Sequence, residues 1–220
     1  MATTSISAST RLLLSTVAVA AALSGLSACA PLIIGGAMVS GTMMATDRRT
    51  SGTQIEDQAI ELKSLSRVKE VVGDRGHVSA TSYNRMVLIT GEVPTDADKV
   101  SVEQAVARIE NVRSIVNELA VSGSASLTSR SNDTLLTSKV KASFVDARDM
   151  LSNAFKVVTE RGTVYLMGRV TEREATRATD LARSVSGVQK VVRVFEIVSE
   201  GELAQMTPKS AKPADAPASK

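Results

Sequence analysis

The chain contains one pattern twice, and this duplication limits the fold more than any other feature. Residues 164–198 read VYLMGRVTEREATRATDLARSVSGVQKVVRVFEIV, and residues 87–121 read VLITGEVPTDADKVSVEQAVARIENVRSIVNELAV. In both copies a hydrophobic run with a central glycine, Gly91 or Gly168, precedes a polar start and a long apolar series. A repeated unit of this length predicts two small domains of the same fold.

The apolar series in each copy has helical spacing. It follows the positions i, i+3, i+4 and i+7, with Val102, Ala105, Val106 and Ile109 in the first copy and Ala178, Leu181, Ala182 and Val185 in the second. This period predicts one apolar face of an amphipathic helix. Thr95 with Asp98, and Thr171 with Glu174, have the spacing of a capping box, which marks the start of each helix.

A glycine precedes each of these helices. We expect Gly91 and Gly168 to serve as structural turn residues, where the strand ends in a conformation or a close backbone contact that a Cβ would hinder. After each helix, Val-rich segments predict a closing strand.

Each repeat is predicted to have the order helix, strand, strand, helix, strand. The first, over residues 54–121, has a hairpin turning through Tyr83, Asn84 and Arg85. The second, over residues 132–198, begins with a helix from Asp133 to about Val145. A hairpin followed by a helical crossover gives a three-stranded mixed sheet with two helices on one face. The fold class is therefore α+β, with two tandem α-β-β-α-β modules and a linker over residues 122–131.

Composition agrees with small modules. The chain has 220 residues, of which 43% are hydrophobic and only 2% aromatic, and this predicts two small cores. The first helix is expected to turn one face to its core, and the residues near that face are Ile55, Ala59, Ile60, Leu62 and Leu65. Because modules of this size bury a modest fraction of their surface, packing of one against the other is expected to stabilise both.

The first 28 residues have the pattern of a secretory signal peptide. Arg11 precedes an apolar core over residues 12–23, and small residues follow it up to Cys29. The sequence Leu-Ser-Ala-Cys resembles the lipobox of bacterial lipoproteins, which implies cleavage before Cys29 and its lipidation. By the sorting pattern of such lipoproteins, Ala30 after the cysteine implies the outer membrane. The lipidated cysteine of such lipoproteins carries three acyl chains, which is more than the two that stable membrane attachment requires.

Segments of unusual composition flank the two modules. Residues 29–53 are expected to form a membrane-proximal tether, apolar and glycine-rich up to Ala45, and its contact with lipid stays open. Residues 199–220 are rich in Ala, Pro, Lys and Ser, so we expect a disordered tail.

The motifs quoted above resemble the BON domain family. DRRTSGTQIEDQAIE at residues 47–61, SNDTLLTSKVK at 131–141 and VYLMGRVTEREA at 164–175 are similar to dual-BON lipoproteins. The resemblance covers the chain from Cys29 up to the tail. It implies an outer-membrane lipoprotein, periplasm-facing and anchored at Cys29, that binds anionic phospholipid chiefly through its second BON domain and maintains envelope integrity. It implies no enzyme.

The two repeats differ in the sign of their net charge. Residues 54–121 have 8 Lys and Arg against 11 Asp and Glu, whereas residues 130–198 have 12 against 8. A basic module near anionic headgroups gains about 1 kcal/mol per cation. The whole chain carries a formal charge of only +3 and has no Lys/Arg run interleaved with aromatic residues, which argues against nucleic acid as a partner.

The first helix of the second repeat carries the predicted lipid site. Leu136 lies on the face that suits the sheet, whereas Leu135 and Lys139 lie on the opposite face, apolar at its centre and cationic at its edge. The lipid-binding residues are expected to be Leu135, the deepest, with Leu136, Lys139 and Lys141. In the family this position often carries an aromatic residue where Leu135 stands. The residues alone also allow Leu135 to pack against the first repeat, or to be one of the scattered exposed leucines that every protein surface has.

Two functional classes stay open at this level. One is a phospholipid-binding module, and the other is a protein-interaction adaptor for outer-membrane assembly or peptidoglycan-associated machinery. Catalysis has little support: His77 is the only histidine, is expected in a solvated loop, and has no second His or Cys to complete a metal site. We therefore expect no enzyme, no cofactor and no metal.

Overall fold

The computed structural model describes residues 47–123 and 125–206, which form two modules. Module 1 consists of α1 (Ser51–Val72), β1 (His77–Tyr83), β2 (Met86–Val93), α2 (Asp96–Ala107), β3 (Ser114–Asn117) and β4 (Ala120–Val121). Module 2 consists of α3 (Leu127–Asp146), a 3-10 helix (Ser152–Ala154), β5 (Lys156–Glu160), β6 (Thr163–Val170), α4 (Glu172–Ser184) and β7 (Lys190–Ile197). A last helix, α5 (Glu200–Met206), follows.

Each module has a mixed sheet built in the predicted order. The hairpin strands pair antiparallel, and the closing strand runs parallel to the middle strand. The order is β5-β6-β7 in module 2 and β1-β2-β3 in module 1, where the short β4 also pairs with β2. The closing strand of module 1 is thus divided, since the Asn117 carboxamide oxygen accepts from the N–H of Leu119 at 3.2 Å. The predicted α+β class is confirmed.

Side chains at the turns and helix starts explain the local structure. Asn84 and Arg85 in one hairpin have φ of 51° and 65°, and Arg161 and Gly162 in the other have 50° and 71°, as two-residue type I′ turns require. Thr171 and Glu174 form a complete capping box at α4.

The cap of α2 is only half of a capping box. Thr95 accepts from the N–H of Asp98 at 3.1 Å, while the Asp98 carboxylate accepts from the Thr95 hydroxyl and from Arg75 instead. The shorter acidic side chain therefore contributes to the helix start through a different partner.

Three sequence-based boundaries need correction. Helix α3 begins at Leu127, within the segment predicted as a linker over 122–131, because Ser126 caps it by accepting from the N–H of Ser129. Helix α1 begins at Ser51, within the predicted tether, because Thr50 caps it. Residues 200–206 of the predicted disordered tail form α5.

The buried face of α1 also differs from the expected one. Its apolar core residues are Ile60, Val68 and Val72, whereas Ile55 and Leu62 are each 68% exposed. The face that packs on the sheet follows an i+4 spacing that passes through polar Asp57 and Ser64, both buried. The apolar residues of this segment alone therefore did not identify the buried face of α1.

Gly91 and Gly168 lie inside β2 and β6 rather than in a turn before the helices. A Cβ on Gly91, which has φ of 114°, would collide with the carbonyl oxygen of His77, and one on Gly168 would meet the carbonyl oxygen of Ala154. A neighbouring backbone thus approaches each strand too closely for any side chain.

The two helices of each module cover one face of its sheet. In module 1 the core includes Ile60 and Val68 of α1, Val102 and Val106 of α2, and Ile89 of β2. In module 2 the equivalent core residues are Leu136, Val140, Phe144, Ala178, Ala182, Val164 and Leu166. Phe144 and Phe155 meet edge-on with ring centroids 5.3 Å apart.

The other faces of the two sheets pack on one another. Tyr83 and Leu88 of module 1 form a buried cluster with Tyr165, Met167 and Val194 of module 2. The described residues therefore form four layers: the helices of module 1, its sheet, the sheet of module 2, and the helices of module 2.

The segment before α1 fastens the modules together. Arg48 donates to both carboxylate oxygens of Glu174 at 2.8 and 2.6 Å and to the carbonyl oxygen of Arg169 at 2.8 Å. Arg49 pairs with Asp57 at 2.9 Å and stacks over the Tyr83 ring, 4.3 Å from its centroid. Adjacent arginines thus bind module 2 and module 1.

We expect Arg48→Ala to lower the free energy of unfolding by about 2 kcal/mol, because it leaves the partly buried Glu174 without its bidentate partner. Urea unfolding followed by circular dichroism measures the change. Arg193→Ala is the matched control, since Arg193 pairs with Glu172 at the surface and its loss should cost less than about 1 kcal/mol. Equal losses in the two variants would contradict a fastening role for Arg48.

Several expectations fall outside the described residues. These are the signal peptide over 1–28, Cys29, the tether up to residue 46 and the tail from residue 207. Among the helices of the described part, none has both the length and the apolar character needed to cross a bilayer.

Candidate functional site

A groove of about 550 Å³ lies on module 2, beside the N-terminal half of α3. Its other walls are the β5–β6 turn and the loop that follows α4. The lining residues are Ser129, Asn132, Asp133, Leu135, Leu136, Lys139, Arg161, Gly162, Ser186, Gly187 and Gln189. We call this surface the module 2 groove.

A buried aspartate sets the wall of the groove. Asp133 on α3 is only 7% exposed, and its carboxylate accepts from the N–H of Arg161 at 2.9 Å and of Gly162 at 2.8 Å. The Asp133 carboxylate thereby holds the hairpin turn against the helix, because the N–H groups of Arg161 and Gly162 in the turn both donate to it.

Module 1 repeats this arrangement with Asp57, which is 2% exposed. Its carboxylate accepts from the N–H of Asn84 and of Arg85, both at 2.8 Å, and from the Ser82 hydroxyl at 2.7 Å. Burial alone would raise the pKa of Asp57, but these hydrogen bonds and that from Arg49 lower it overall. Sequence reasoning missed both aspartates. Each aspartate precedes the hairpin turn of its own repeat by nearly the same number of residues, and this repeated spacing is the sequence signal that could have identified them.

The two predicted leucines lie at different depths. Leu135 is 60% exposed at the rim of the groove, whereas Leu136 is 7% exposed and belongs to the core of module 2. Leu136 also borders the groove from below, near Gly187. Leu135 is therefore available for contact, and Leu136 can only support it.

The charge of the module 2 groove is positive. Lys139 and Arg161 line it, and within the described chain neither has a salt bridge. The one acidic residue in the lining, Asp133, is already occupied by the turn. A neighbouring hollow that shares Gln189 adds Arg183 and Lys190. An anion at this surface would therefore meet Lys139 and Arg161 side chains whose N–H groups can donate hydrogen bonds to it.

Lys141 does not belong to this groove. It is exposed about one and two-thirds helical turns beyond Leu135, and it lines a separate hollow of about 340 Å³ with Phe144, Val145 and Phe155. The structure thus brings together Leu135, Leu136 and Lys139 and places Lys141 apart from them. Arg161 and Gln189 join the site from segments that the sequence did not indicate.

Module 1 has a groove of similar size, about 610 Å³, beside α1 and the end of α2. Two of the three cations in its lining have acidic partners: Lys63 lies 3.6 Å from Glu110, and Arg67 lies 2.9 Å from Glu70, while the third cation is Arg108. Leu62 is exposed at its rim. The two grooves share an exposed leucine, but the module 1 groove carries two exposed glutamates, Glu70 and Glu110, whereas the acidic residue in the lining of the module 2 groove is the buried Asp133.

Comparisons with known proteins agree with the duplication. The BON domain model matches residues 56–123 and again residues 132–199. The chain belongs to the BON domain family. Each match coincides with one helix-and-sheet module, so the module boundaries and the BON boundaries agree within a few residues.

Curated relatives cover most of this dual-BON chain. The Outer membrane lipoprotein DolP of Haemophilus influenzae is 40% identical over 174 residues, which cover 78% of this chain and 89% of that protein. The 21 kDa hemolysin of Actinobacillus pleuropneumoniae is 30% identical, covering 69% of this chain and 79% of that one. This is therefore a dual-BON, DolP-like protein.

A solved structure, the C-terminal domain of CdsD from Chlamydia trachomatis, aligns with 61% of this chain and 97% of its own. Its TM-score is 0.27 at 9% identity, which is too weak to support an argument.

His77 differs from its expected place in a solvated loop, because it opens β1 and is partly buried between the sheets of the two BON modules. Burial and the charge of Arg130 lower its pKa, which the charge of Glu92 partly opposes. Among the described residues, no three His, Cys, Asp or Glu side chains group as metal ligands.

Proposed function

We propose that this chain is a non-enzymatic outer-membrane lipoprotein, anchored at Cys29, that binds anionic phospholipid through the groove of its second BON module and supports envelope integrity. The relative at 40% identity, named as an outer membrane lipoprotein, supports the location and the anchor. The observation that carries the lipid part is Leu135, 60% exposed beside Lys139, which has no salt bridge to any residue that the structure describes.

The geometry fits an interfacial contact. An exposed leucine can enter the boundary between headgroups and acyl chains, while the nearby lysine and arginine reach phosphate oxygens. Lys139 and Arg161 of the groove, with Lys190 next to it, each gain about 1 kcal/mol near an anionic surface. This gain is smaller in module 1, because Lys63 and Arg67 already have acidic partners and the exposed Glu70 and Glu110 would be repelled by anionic headgroups.

Vesicle co-sedimentation tests the proposal with the full mature chain made without acyl groups by Cys29→Ser. We expect at least about tenfold tighter binding to phosphatidylglycerol than to phosphatidylcholine vesicles, since about 2 kcal/mol of attraction exceeds a factor of ten. The preference should weaken several-fold as salt rises from about 0.05 M to about 0.3 M, because exposed charges are screened. Equal binding to both lipids would overturn the proposal.

A protein-interaction adaptor is the second candidate, and one observation favours it. Helix α1 exposes Ile55, Leu62 and Leu65 on module 1. Such side chains can pack on a partner protein, for example one of the outer-membrane assembly machinery. An adaptor would be indifferent to vesicle composition and would instead form cross-links to a protein from residues introduced along α1.

A further inference from the structure

Two glutamates lie between the sheets of the two modules, close to the module 2 groove. Glu92 of β2 is fully buried, and in the described chain neither of its carboxylate oxygens has a hydrogen-bond partner. Glu160 ends β5 and is partly buried. Its side chain shares the strand face of Val158, which packs in the inter-module cluster, so Glu160 faces module 1.

The surroundings of Glu160 favour its neutral form. Burial raises the pKa of Glu160 to about 7, and the negative charges of Glu92 and Asp133 act in the same direction. The cations Arg130 of α3 and Arg161 of the turn oppose this rise. The Glu160 carboxyl therefore changes its charge near neutral pH, where an ordinary glutamate is fully ionised.

The other ionisable groups that face this cluster are His77 of β1, Tyr165 of β6 and Glu118 beside Tyr165. His77 interacts with Glu92 and with Arg130, whose Nε is buried without a hydrogen-bond partner. Burial, then Glu118, then Glu160 raise the pKa of Tyr165 to about 12, so it stays neutral through the range in which Glu160 titrates.

Arg161 connects Glu160 to the groove. It follows Glu160 in the turn, lines the module 2 groove, and donates to the Ser122 hydroxyl at 2.6 Å. Its positive charge is one of two that favour the ionised form of Glu160. A phosphate held by Arg161 and Lys139 would offset this charge, so an anion in the groove favours a protonated Glu160.

We propose that binding of anionic phospholipid in the module 2 groove is coupled to uptake of a proton from solvent by Glu160, so that binding strengthens as the pH falls through neutrality. This coupling rests on the proposed function. Because linkage is reciprocal, whatever the bound anion adds to proton affinity, the bound proton adds to lipid affinity. A half-unit rise in the Glu160 pKa corresponds to about threefold in affinity.

The test uses the mature Cys29→Ser chain and phosphatidylglycerol vesicles at constant ionic strength. Dissociation constants are measured from about pH 6.5 to about pH 8.5, above the range in which His77, with its lowered pKa, gains charge. The phosphodiester group of phosphatidylglycerol keeps its negative charge over this whole pH range. We expect binding to weaken about threefold as pH rises, and we expect Glu160→Gln to bind at every pH as tightly as the wild type does at the acidic end.

Two variants serve as controls. Glu172→Gln makes the same charge change at a side chain of module 2 that lies on helix α4 and is 65% exposed, and it should keep the pH dependence. His77→Gln should keep it too. A pH dependence that persists in Glu160→Gln, or that disappears in His77→Gln, would overturn the coupling.

Two further measurements separate the coupling from the proposed function. The carboxyl ¹³C shift of Glu160 should titrate near neutral pH in the free chain and at higher pH with vesicles present. Without lipid, wild-type stability should fall as pH rises from about 4.5 to about 7, because the folded-state pKa is raised, and Glu160→Gln should flatten this fall. Binding at every pH with no pH dependence overturns the coupling alone, and no binding at any pH overturns both proposals.

Discussion

Replacing Asp57 by alanine will lower the free energy of unfolding by about 3–5 kcal/mol, the range for removing one partner of a buried ion pair. The loss is large because one carboxylate serves four donors at once. The N–H groups of Asn84 and Arg85 and the Ser82 hydroxyl lose their acceptor, and Arg49 loses its ionic partner. Urea unfolding at neutral pH measures the change, and the denaturant dependence should stay the same.

Asp96→Ala is the matched control for this experiment. Asp96 is an exposed aspartate in the first turn of α2, so its loss removes only a favourable interaction with the helix dipole, about 0.5 kcal/mol. If Asp57→Ala cost no more than Asp96→Ala, the carboxylate would not hold the turn.

Acid should erase the difference between wild type and Asp57→Ala. The pKa of Asp57 lies below its ordinary value of 3.8 in the folded protein, so the stability it contributes is present above that value. This stability is lost as the pH falls through the lower, folded-state value. Unfolding curves for the two proteins should therefore stay separated down to pH 3.8 and converge only at lower pH. Convergence of the two proteins already above about pH 3.8 would contradict the lowered pKa.

Leu135→Asp is expected to weaken binding to phosphatidylglycerol vesicles by about 70- to 900-fold. Burying a leucine contributes about 1.5–3 kcal/mol, and a new negative charge next to anionic headgroups costs about 1 kcal/mol more. The fold should be unaffected because the side chain is 60% exposed. Co-sedimentation gives the affinity, and unfolding in urea verifies that the variant remains as stable as the wild type.

Leu62→Asp provides the matched control on the other module. Leu62 is 68% exposed at the rim of the module 1 groove, so the substitution makes the same chemical change on an equally accessible helix. Its affinity for vesicles should change less than about twofold. Equal losses for both variants would mean that the lipid contact does not distinguish the modules, and no loss for Leu135→Asp would remove Leu135 from the site.

The sequence predicted the parts of the fold that depend on local chemistry. Helical spacing and the Thr171–Glu174 box located α4, and the hairpin turn at Asn84 and Arg85 was found because it separates two runs of β-forming residues. The first helices of both modules began earlier than expected, because Thr50 and Ser126 cap them ahead of any apolar residue of the core. A polar capping residue that is not followed by apolar residues at helical spacing gives little sequence evidence for the start of a helix.

The site was only partly predictable for a different reason. Leu135 and Lys139 lie one helical turn apart, so helical periodicity alone brought them together. Arg161 and Gln189 reach the groove from a turn and a loop, and such neighbours depend on the tertiary fold. Asp133 and Glu92 are buried carboxylates, and burial of a charged residue goes against the composition rule on which core prediction rests.

The face-to-face packing of the two sheets directs the paired helices of the modules away from each other. A bilayer is nearly planar over the width of such a body, so a bilayer that contacted α3, as proposed, would leave α1 turned toward the aqueous side. Duplication has in this way produced a two-sided particle. One side can rest on phospholipid while the opposite side, with Leu62 and Ile55, is presented to another macromolecule.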